Sequence, residues 1–138
     1  MTADSCIFCR IIAGTASAER VYEDDLTIAF MDAYPAADGH LLVVPRQHTE
    51  NLLTVDADNV AAVAITTRRI AAALQQALTP DGIRVSQFNG RAAGQTVFHY
   101  HVHLVPITAG RQIGHHGRQQ ADPARIAAIA SRIRDAMA

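Results

Sequence analysis

Lysine and tryptophan are both absent from this sequence of 138 residues, and all twelve basic residues are arginine. Without lysine, the chain has neither a Schiff-base nucleophile nor the lysine that binds phosphate in a P-loop. Aromatic residues make up only 5% of the chain, a poor supply for a base-stacking platform on single-stranded nucleic acid. Any chemistry must therefore come from histidine, the acids, two cysteines and polar side chains.

Long apolar runs and a strong net charge are lacking as well. No stretch approaches the ~20 apolar residues that a membrane span needs. The N-terminal stretch MTADSCIFCRIIAG lacks the basic and apolar regions of a secretory signal. The net charge of −1 and the pI near 6.6 predict no attraction to nucleic acid or to anionic membranes. We therefore expect a cytoplasmic protein with neither a nucleic acid nor a membrane as its partner.

The sequence predicts one domain, 1–138, of the α+β class. Hydrophobic residues make up 49%, enough for a core, and no linker or repeat divides the chain. In order, we expect a short helix ending near Gly14, strands 20–22, 27–32 and 40–45, a helix from Asp56 or Asp58 to Leu78, strands 83–89 and 97–106, and a helix behind Asp122-Pro123. Hairpin-like connections favour a mainly antiparallel sheet. The core would span about 5–107, followed by a tail and helix over 108–138.

Three of the seven histidines stand at alternate positions in the stretch FHYHVHLV. Because side chains of a strand alternate between its faces, His99, His101 and His103 would share one face, each about 7 Å from the next. Three interpretations compete: a hydrated histidine-rich face, a metal site, and a catalytic site in which a neutral imidazole attacks phosphorus. Catalysis of this kind requires an acceptor that holds one ring nitrogen protonated, so that the other nitrogen keeps its lone pair.

Cys6 and Cys9 form a CxxC pair that is open to three interpretations: a redox pair, a disulfide, or half of a zinc site. A thioredoxin-like pair follows a strand of a βαβ unit, whereas only five residues precede Cys6. A structural disulfide is uncommon in the cytosol. Two histidines would complete a Cys2His2 zinc site.

The run HYHVHLV resembles the pattern of the histidine triad family, in which three histidines alternate with apolar residues. Further matching segments are FMD at 30–32, GHLLVVP at 39–45, Asn89 ten residues before His99, and GQTV at 94–97, so the resemblance covers Cys6 to Pro106. It implies a five-stranded, mainly antiparallel sheet with a long helix and a C-terminal helix. It also implies a homodimer in which two such sheets form one continuous sheet of ten strands.

The resemblance implies a nucleotide hydrolase or transferase that cleaves nucleoside 5′-phosphoramidates or related nucleotidyl bonds of a purine nucleotide. By this match, His101 attacks the α-phosphate, and water then hydrolyses the nucleotidyl-histidine and releases a nucleoside monophosphate such as AMP. His103 contacts the phosphoryl or leaving group, and His40 supports it. The alternatives are a dinucleoside polyphosphate hydrolase and a non-catalytic nucleotide-binding or interaction protein. An iron or manganese enzyme is weakened because no carboxylate lies near the triad in sequence.

The same resemblance implies the remaining site residues. The substrate-binding set comprises an apolar base pocket, a ribose-binding acid and polar groups near the phosphate: Ile7, Phe8, Ile11, Phe30, Asp32, Asn89, Gln95, Thr96 and His103. The zinc set, with a structural role, comprises Cys6, Cys9, His48 and His99.

Two features near the C-terminal end fall outside the family pattern. Ile107 follows Pro106, where several triad proteins have a basic residue, and this departure weakens the case for polyphosphate recognition. The tail beyond it contains Arg, His and Gly and would either close over the site or form a solvated loop. The sequence favours the solvated loop because loops usually carry such residues to water. Its charged and imidazole side chains are those of Arg111, His115, His116 and Arg118.

Overall fold

The computed structural model describes residues 5–111 and 119–138, so His115, His116 and Arg118 of the tail lie outside the described residues. The elements are α1 (Ile7–Ala13), β1 (Arg20–Glu23), β2 (Thr27–Met31), β3 (Leu41–Pro45), α2 (Ala57–Leu78), β4 (Gly82–Ser86), β5 (Val102–Ile107) and α3 (Pro123–Met137). The strands form an antiparallel sheet in the order β1-β2-β3-β5-β4, which confirms the predicted α+β fold. None of the described helices is both long and apolar enough to cross a membrane.

The two long helices begin and end where their sequence signals place them. The Asp56 carboxylate accepts from the Asn59 N–H at 2.8 Å, so Asp56 is the N-cap of α2. Thr79, in a left-handed conformation with φ of 46°, ends that helix. Asp122 caps α3, whose first residue is Pro123, a position where the missing N–H of proline costs nothing.

The sheet carries an apolar layer on each face. On one face, residues of β2 and β3 pack against α2 and α3: Ala29, Met31, Leu41 and Val43 with Val63, Ile70, Leu74 and Ile133. On the other face, Ile28, Phe30, Leu42 and Val44 pack with Phe8 and Ile11 of α1. Because both faces are covered, β2 and β3 are buried along their whole length and read as continuous apolar runs. His103 pairs with Leu42 across β5 and β3, so it faces the α1 side.

The two strands nearest the histidine motif are shorter than predicted. β5 begins at Val102 rather than at Val97, and β4 ends at Ser86 rather than at Asn89. Of the three triad histidines, only His103 therefore lies in a strand. The prediction of three imidazoles in one regular strand row was wrong.

The late start of β5 has a cause in the neighbouring strand. Pro45 ends β3 and has no N–H to extend the ladder. Its oxygen accepts instead from the His99 ring at 2.8 Å, and the Tyr100 N–H donates to the Thr49 oxygen at 2.8 Å. The Pro45 oxygen and the Tyr100 N–H thus have partners outside the sheet ladder. The chain bends through His99 before it joins the sheet as β5.

The turn into His40 requires glycine. Gly39 has a φ of +87°, in the left-handed region that side chains disfavour. A Cβ at this position would lie 2.6 Å from Cδ1 of Leu78, closer than atoms in contact allow. Gly39 therefore lets β3 begin close to α2 and fixes where His40 enters the sheet.

Candidate functional site

Cys6, Cys9, His48 and His99 come together where α1 meets the sheet. Nδ1 of His99 lies 3.5 Å from each cysteine Sγ. Nδ1 of His48 lies 3.2 Å from Sγ of Cys9 and 3.2 Å from Nδ1 of His99. All four atoms lie within 4.8 Å of one another, and neither cysteine is in a disulfide. We call this group the zinc corner.

A main-chain carbonyl orients the His99 ring toward the cysteines. Because a carbonyl can only accept, the ring nitrogen Nε2–H donates to the Pro45 oxygen at 2.8 Å, and Nδ1 keeps its lone pair. Burial lowers the pKa of His99 to about 4, so the ring is neutral at physiological pH. A neutral ring whose second nitrogen is hydrogen-bonded to a carbonyl is the state in which histidine binds a metal.

The zinc corner fits a tetrahedral zinc ion. Bonds of about 2.3 Å to sulfur and 2.0–2.1 Å to nitrogen set ligand atoms about 3.4–3.8 Å apart in a tetrahedron. Four of the six separations in the zinc corner are 3.2–3.5 Å, close to this range. The geometry therefore favours the zinc interpretation of the CxxC pair over a disulfide. Four protein ligands would fill the coordination shell of a zinc ion and leave no position for a substrate.

His101 has the opposite orientation. Its Nδ1–H donates to the main-chain oxygen of His99 at 2.6 Å, so Nε2 carries the lone pair. The ring is 6% exposed, and the Phe8 ring packs edge-on against it with centroids 5.0 Å apart. This is the arrangement that nucleophilic attack requires, with one nitrogen held protonated and the other able to attack.

His103 and His40 form a hydrogen-bonded pair beside His101. The Ala36 N–H donates to Nδ1 of His40 at 2.9 Å, so a neutral His40 carries its proton on Nε2. That nitrogen lies 3.0 Å from Nδ1 of His103 and 3.5 Å from Oδ2 of Asp32. Donation to His103 leaves the proton of a neutral His103 on its own Nε2. The His101 and His103 rings, 4.8 Å apart, thus combine a lone pair with a proton donor.

Asp32, His40 and His103 also bring three ligand-type atoms within 4.8 Å, so the fold supplies the carboxylate that the sequence did not place near the triad. The hydrogen bonds argue against an ion here. A metal-bound imidazole has its other nitrogen protonated. Because Nδ1 of His40 accepts from the Ala36 N–H, the ring would have to lose both protons to bind a metal through Nε2. The cluster fits a hydrogen-bond chain better than an iron or manganese site.

A cavity of about 600 Å³ opens beside His101, between α1 and the end of β2. Seven of the predicted site residues line it: Ile7, Phe8, Ile11, Phe30, Asp32, Thr96 and His101. Most of these seven residues are apolar, and Asp32 and His101 are the two ionisable ones among them. A cavity of this volume, apolar with a few polar groups, is typical of small-molecule sites.

Three residues of the predicted substrate-binding set, Asn89, Gln95 and His103, do not line this cavity in the described part of the chain. The Gln95 amide is buried and binds three main-chain groups: its Oε1 accepts from the Gly90 N–H at 2.8 Å, and its Nε2 donates to the oxygens of Glu50 and Val97. Oδ1 of Asn89 accepts from the Leu52 N–H at 2.9 Å. In this structure the Asn89 and Gln95 side chains therefore hold loops in place through main-chain hydrogen bonds.

Sequence reasoning missed several residues of the site. The cavity is also lined by Ser17, Ala18, Glu19, Met31, Ala33, Tyr34, Leu42, Val97, Gln120, Ala121, Pro123 and Ile126. Phe88 packs on the His103 ring with centroids 5.4 Å apart. Ile126 reads in the sequence only as part of the apolar face of α3. The tertiary contact that brings it to the cavity has no local signal.

Fold and site together define an α+β protein in which the His101 imidazole lines a ligand cavity and the His103 ring lies beside it. The family described as HIT domain matches residues 13–110, and the chain belongs to this family, as the triad motif predicted. A HIT-like protein from Bartonella henselae, described as involved in cell-cycle regulation, has a TM-score of 0.90 and 37% identity, with 99% of both chains covered. A Zn-bound histidine triad family protein from Mycobacterium smegmatis has a TM-score of 0.87 and 36% identity, covering 99% of this chain and 95% of that one.

Two further relatives carry activity names. Adenylylsulfatase HINT3 of Arabidopsis thaliana is 35% identical over 103 residues, which are 75% of this chain and 52% of that protein. A HIT family hydrolase from Clostridium thermocellum has a TM-score of 0.69 and 35% identity, covering 80% of this chain and 96% of that one. The family therefore includes hydrolases, and a histidine triad nucleotide-binding protein from Candida albicans also matches, with a TM-score of 0.72 and 28% identity, covering 95% of this chain and 96% of that one.

Proposed function

We propose that this protein is a nucleotide hydrolase or transferase that cleaves nucleoside 5′-phosphoramidates, or related nucleotidyl bonds, through a covalent intermediate on His101. The observation that carries the proposal is the hydrogen bond from Nδ1–H of His101 to the His99 oxygen, 2.6 Å long. It leaves the Nε2 lone pair on a ring that lines the cavity. The activity names of the two relatives are consistent with this chemistry.

The proposed reaction has two displacements. Nε2 of His101 attacks the α-phosphorus and the phosphorus–nitrogen bond of the substrate breaks. The departing amine takes a proton from solvent that is relayed through His103, which passes on its Nε2 proton and takes up the solvent proton in the same step, so the ring stays neutral. Water then attacks the same phosphorus, the bond to His101 breaks, and the water proton is released to solvent. Two in-line displacements give net retention at phosphorus. His40 holds His103 in the tautomer that donates.

The substrate we propose is a purine nucleotide, with AMP as the released product. Ile7, Phe8, Ile11 and Phe30 would hold the base, and Thr96 and His103 would contact the phosphate region. Asp32 would accept from the ribose hydroxyls, as a carboxylate does well with a vicinal diol. The hydrogen bonds of Asn89 and Gln95 would have to rearrange for either to reach phosphate.

Zinc is the cofactor we propose for Cys6, Cys9, His48 and His99, with a structural role. When bound there, it would tie α1 to the sheet and contribute to folding. The main-chain oxygen of His99 is the group that orients His101, so the zinc corner would also support the nucleophile. Reduced cysteines are required for this site, which favours the cytoplasm as the location.

We also propose a homodimer. β4 is an outer strand of the sheet, and its Val85 side chain is 52% exposed. An exposed strand edge with apolar side chains is a surface that proteins usually cover. Pairing of β4 with β4 of a second copy would give a sheet of ten strands. Light scattering should then give twice the chain mass of 14.8 kDa.

The experiment that tests the function is intact-protein mass spectrometry after mixing with adenosine 5′-phosphoramidate and a rapid, acid-free quench. Wild type should carry an adenylyl adduct that His101→Ala lacks. If wild type forms no adduct and releases no AMP while it still binds AMP, the protein is a nucleotide-binding protein instead. Cleavage of diadenosine polyphosphates in preference to phosphoramidates would point to the second enzymatic candidate.

A further inference from the structure

The loop that joins β2 to β3, residues 32–40, brings two of its main-chain N–H groups to two of its own side chains. The Ala36 N–H donates to Nδ1 of His40 at 2.9 Å. The Tyr34 N–H donates to Oδ1 of Asp32 at 2.8 Å, and Oδ2 of that carboxylate lies 3.5 Å from Nε2 of His40. An N–H group at Nδ1 and a carboxylate near Nε2 both favour the tautomer of His40 with its proton on Nε2.

Two contacts from the C-terminal part of the chain hold the two ends of this loop. The Ala121 N–H donates to the Ala33 oxygen at 3.1 Å. The Arg125 guanidinium donates to both carboxylate oxygens of Asp38, through Nε at 3.0 Å to one of them. Ala36 lies between the two attached residues in the sequence. We call these two contacts the loop clamp.

The contact of Arg125 with Asp38 is the stronger part of the loop clamp. Exposed ion pairs contribute little on average, whereas a guanidinium that binds a carboxylate through two hydrogen bonds fixes the geometry of both groups. These hydrogen bonds lower the pKa of Asp38 from its ordinary value, so the carboxylate is charged at neutral pH. The family match ends at residue 110, so the clamp comes from a part of the chain beyond it.

We propose that Arg125 and Asp38 are positioning residues, which hold the loop in place and thereby fix the tautomer of His40. With its proton on Nε2, His40 donates to Nδ1 of His103, 3.0 Å away, and the proton of a neutral His103 is then on Nε2. In the other tautomer, His40 accepts from Nδ1 of His103, whose Nε2 then has no proton to pass on. The consequence for turnover rests on the proposed function, whereas the tautomer is measured without a substrate.

The first test measures the tautomer of His40 by ¹⁵N–¹H NMR at about pH 8, where a histidine of ordinary pKa is neutral. The ¹⁵N shift of each ring nitrogen reports the fraction of molecules in which that nitrogen is protonated. In wild type, nearly all of the His40 rings should have the proton on Nε2. Arg125→Ala and Asp38→Ala should each lower this fraction about twofold, because the exposed pair is weak and Asp32 still favours the same tautomer.

Arg132→Ala is the matched control. Arg132 is also an exposed arginine of α3, about two turns further along, but it donates to the Ala77 oxygen near the end of α2. The tautomer of His40 in this variant should equal that of wild type. The double variant Asp38→Ala/Arg125→Ala should change the tautomer no more than either single variant, because both substitutions remove one contact.

The second test compares kcat for adenosine 5′-phosphoramidate with kcat for a nucleotide ester that releases p-nitrophenolate. In Arg125→Ala, the phosphoramidate kcat should fall by the same factor as the Nε2–H fraction of His40, because only that tautomer lets His103 pass on a proton. KM and the ester kcat should equal those of wild type. A general loss of structure would instead lower both kcat values.

The proposal is wrong if the tautomer of His40 is unchanged in both Arg125→Ala and Asp38→Ala. An equal change in Arg132→Ala, or additive changes in the double variant, would overturn it as well. If wild type cleaves neither substrate, the proposed reaction fails, and the NMR measurement alone decides whether the clamp positions His40. If the tautomer changes while the phosphoramidate kcat does not, the clamp stands and the proton relay through His103 is wrong.

Discussion

His99 and His101 are two residues apart and lie in two regions with different chemistry. In the zinc corner, the His99 ring donates through Nε2 to the Pro45 oxygen and turns its Nδ1 lone pair toward Cys6. In the proposed catalytic site, formed by His101, His103 and His40, the His101 ring donates through Nδ1 to the His99 oxygen, so its lone pair is on Nε2. The residue type is the same in both regions. The position of one carbonyl decides which nitrogen can bind a metal or attack a phosphate.

The two regions meet at His99. The His99 ring belongs to the zinc corner, while its main-chain oxygen fixes the tautomer of His101. His103, in turn, is oriented by His40, whose own ring accepts from the Ala36 N–H. The zinc corner should therefore act on the nucleophile through position alone, and hardly at all on the proton donor.

The largest effects should come from replacing each of the two histidines by alanine in turn. We expect His101→Ala to lower kcat by about 10⁴-fold or more, because the attacking atom is lost, while the zinc content stays at the wild-type level. His99→Ala should lose zinc and unfold at a lower temperature. AMP release and metal analysis on the same preparations measure both. A His99→Ala protein that keeps its zinc would show that the zinc corner is wrongly assigned.

The second-largest effect should come from replacing His103, the proposed proton donor. His103→Ala should lower kcat by about 10²- to 10³-fold for amine leaving groups, because the departing nitrogen must be protonated. The loss should be much smaller for a substrate that releases p-nitrophenolate, which needs no proton. Zinc content should not change. An equal loss for both leaving groups would assign His103 to phosphate binding rather than to proton donation.

Local signals in the sequence were enough for most of the fold. The bounds of α2 follow from Asp56 and Thr79, and the start of α3 follows from Pro123, because caps and proline act on adjacent residues. The start of β5 could not be predicted in this way. It depends on the Tyr100 N–H reaching Thr49, a contact that joins residues far apart in the chain.

The residues of the candidate site also fall into those that the sequence could predict and those that it could not. The motif identified His101, and the fold brings it to the cavity with Asp32. The hydrogen bonds of Gln95 with Glu50 and Gly90 have no signature in sequence, nor does the approach of Ile126 to the cavity. Residue types at a motif are local information, whereas tautomers and cavity walls depend on tertiary contacts.

A smaller effect on turnover is expected when the zinc corner itself is broken. In Cys6→Ser, the serine oxygen can still accept from the Cys9 N–H as the N-cap of α1, so the main loss is the thiolate ligand. We expect loss of zinc and a melting temperature lower by about 10 °C or more. At low temperature, where the variant is folded, kcat should fall by less than about tenfold. Loss of turnover as complete as in His101→Ala, in folded protein, would contradict a structural role for zinc.

The smallest effect is the coupling between the two regions, which a double-mutant cycle with Cys6→Ser and His103→Ala measures. The two sites are linked through His101, which contacts both His99 and His103. We expect this link to carry only about 0.5 kcal/mol, so the two losses in kcat should multiply to within about twofold to threefold. The reason is the position of His99, whose main-chain oxygen accepts from the His101 ring. A coupling of tenfold would mean that the zinc corner also orients the proton donor. The two regions would then be one cooperative unit, and the choice of ring nitrogen at His99 and at His101 would not be independent.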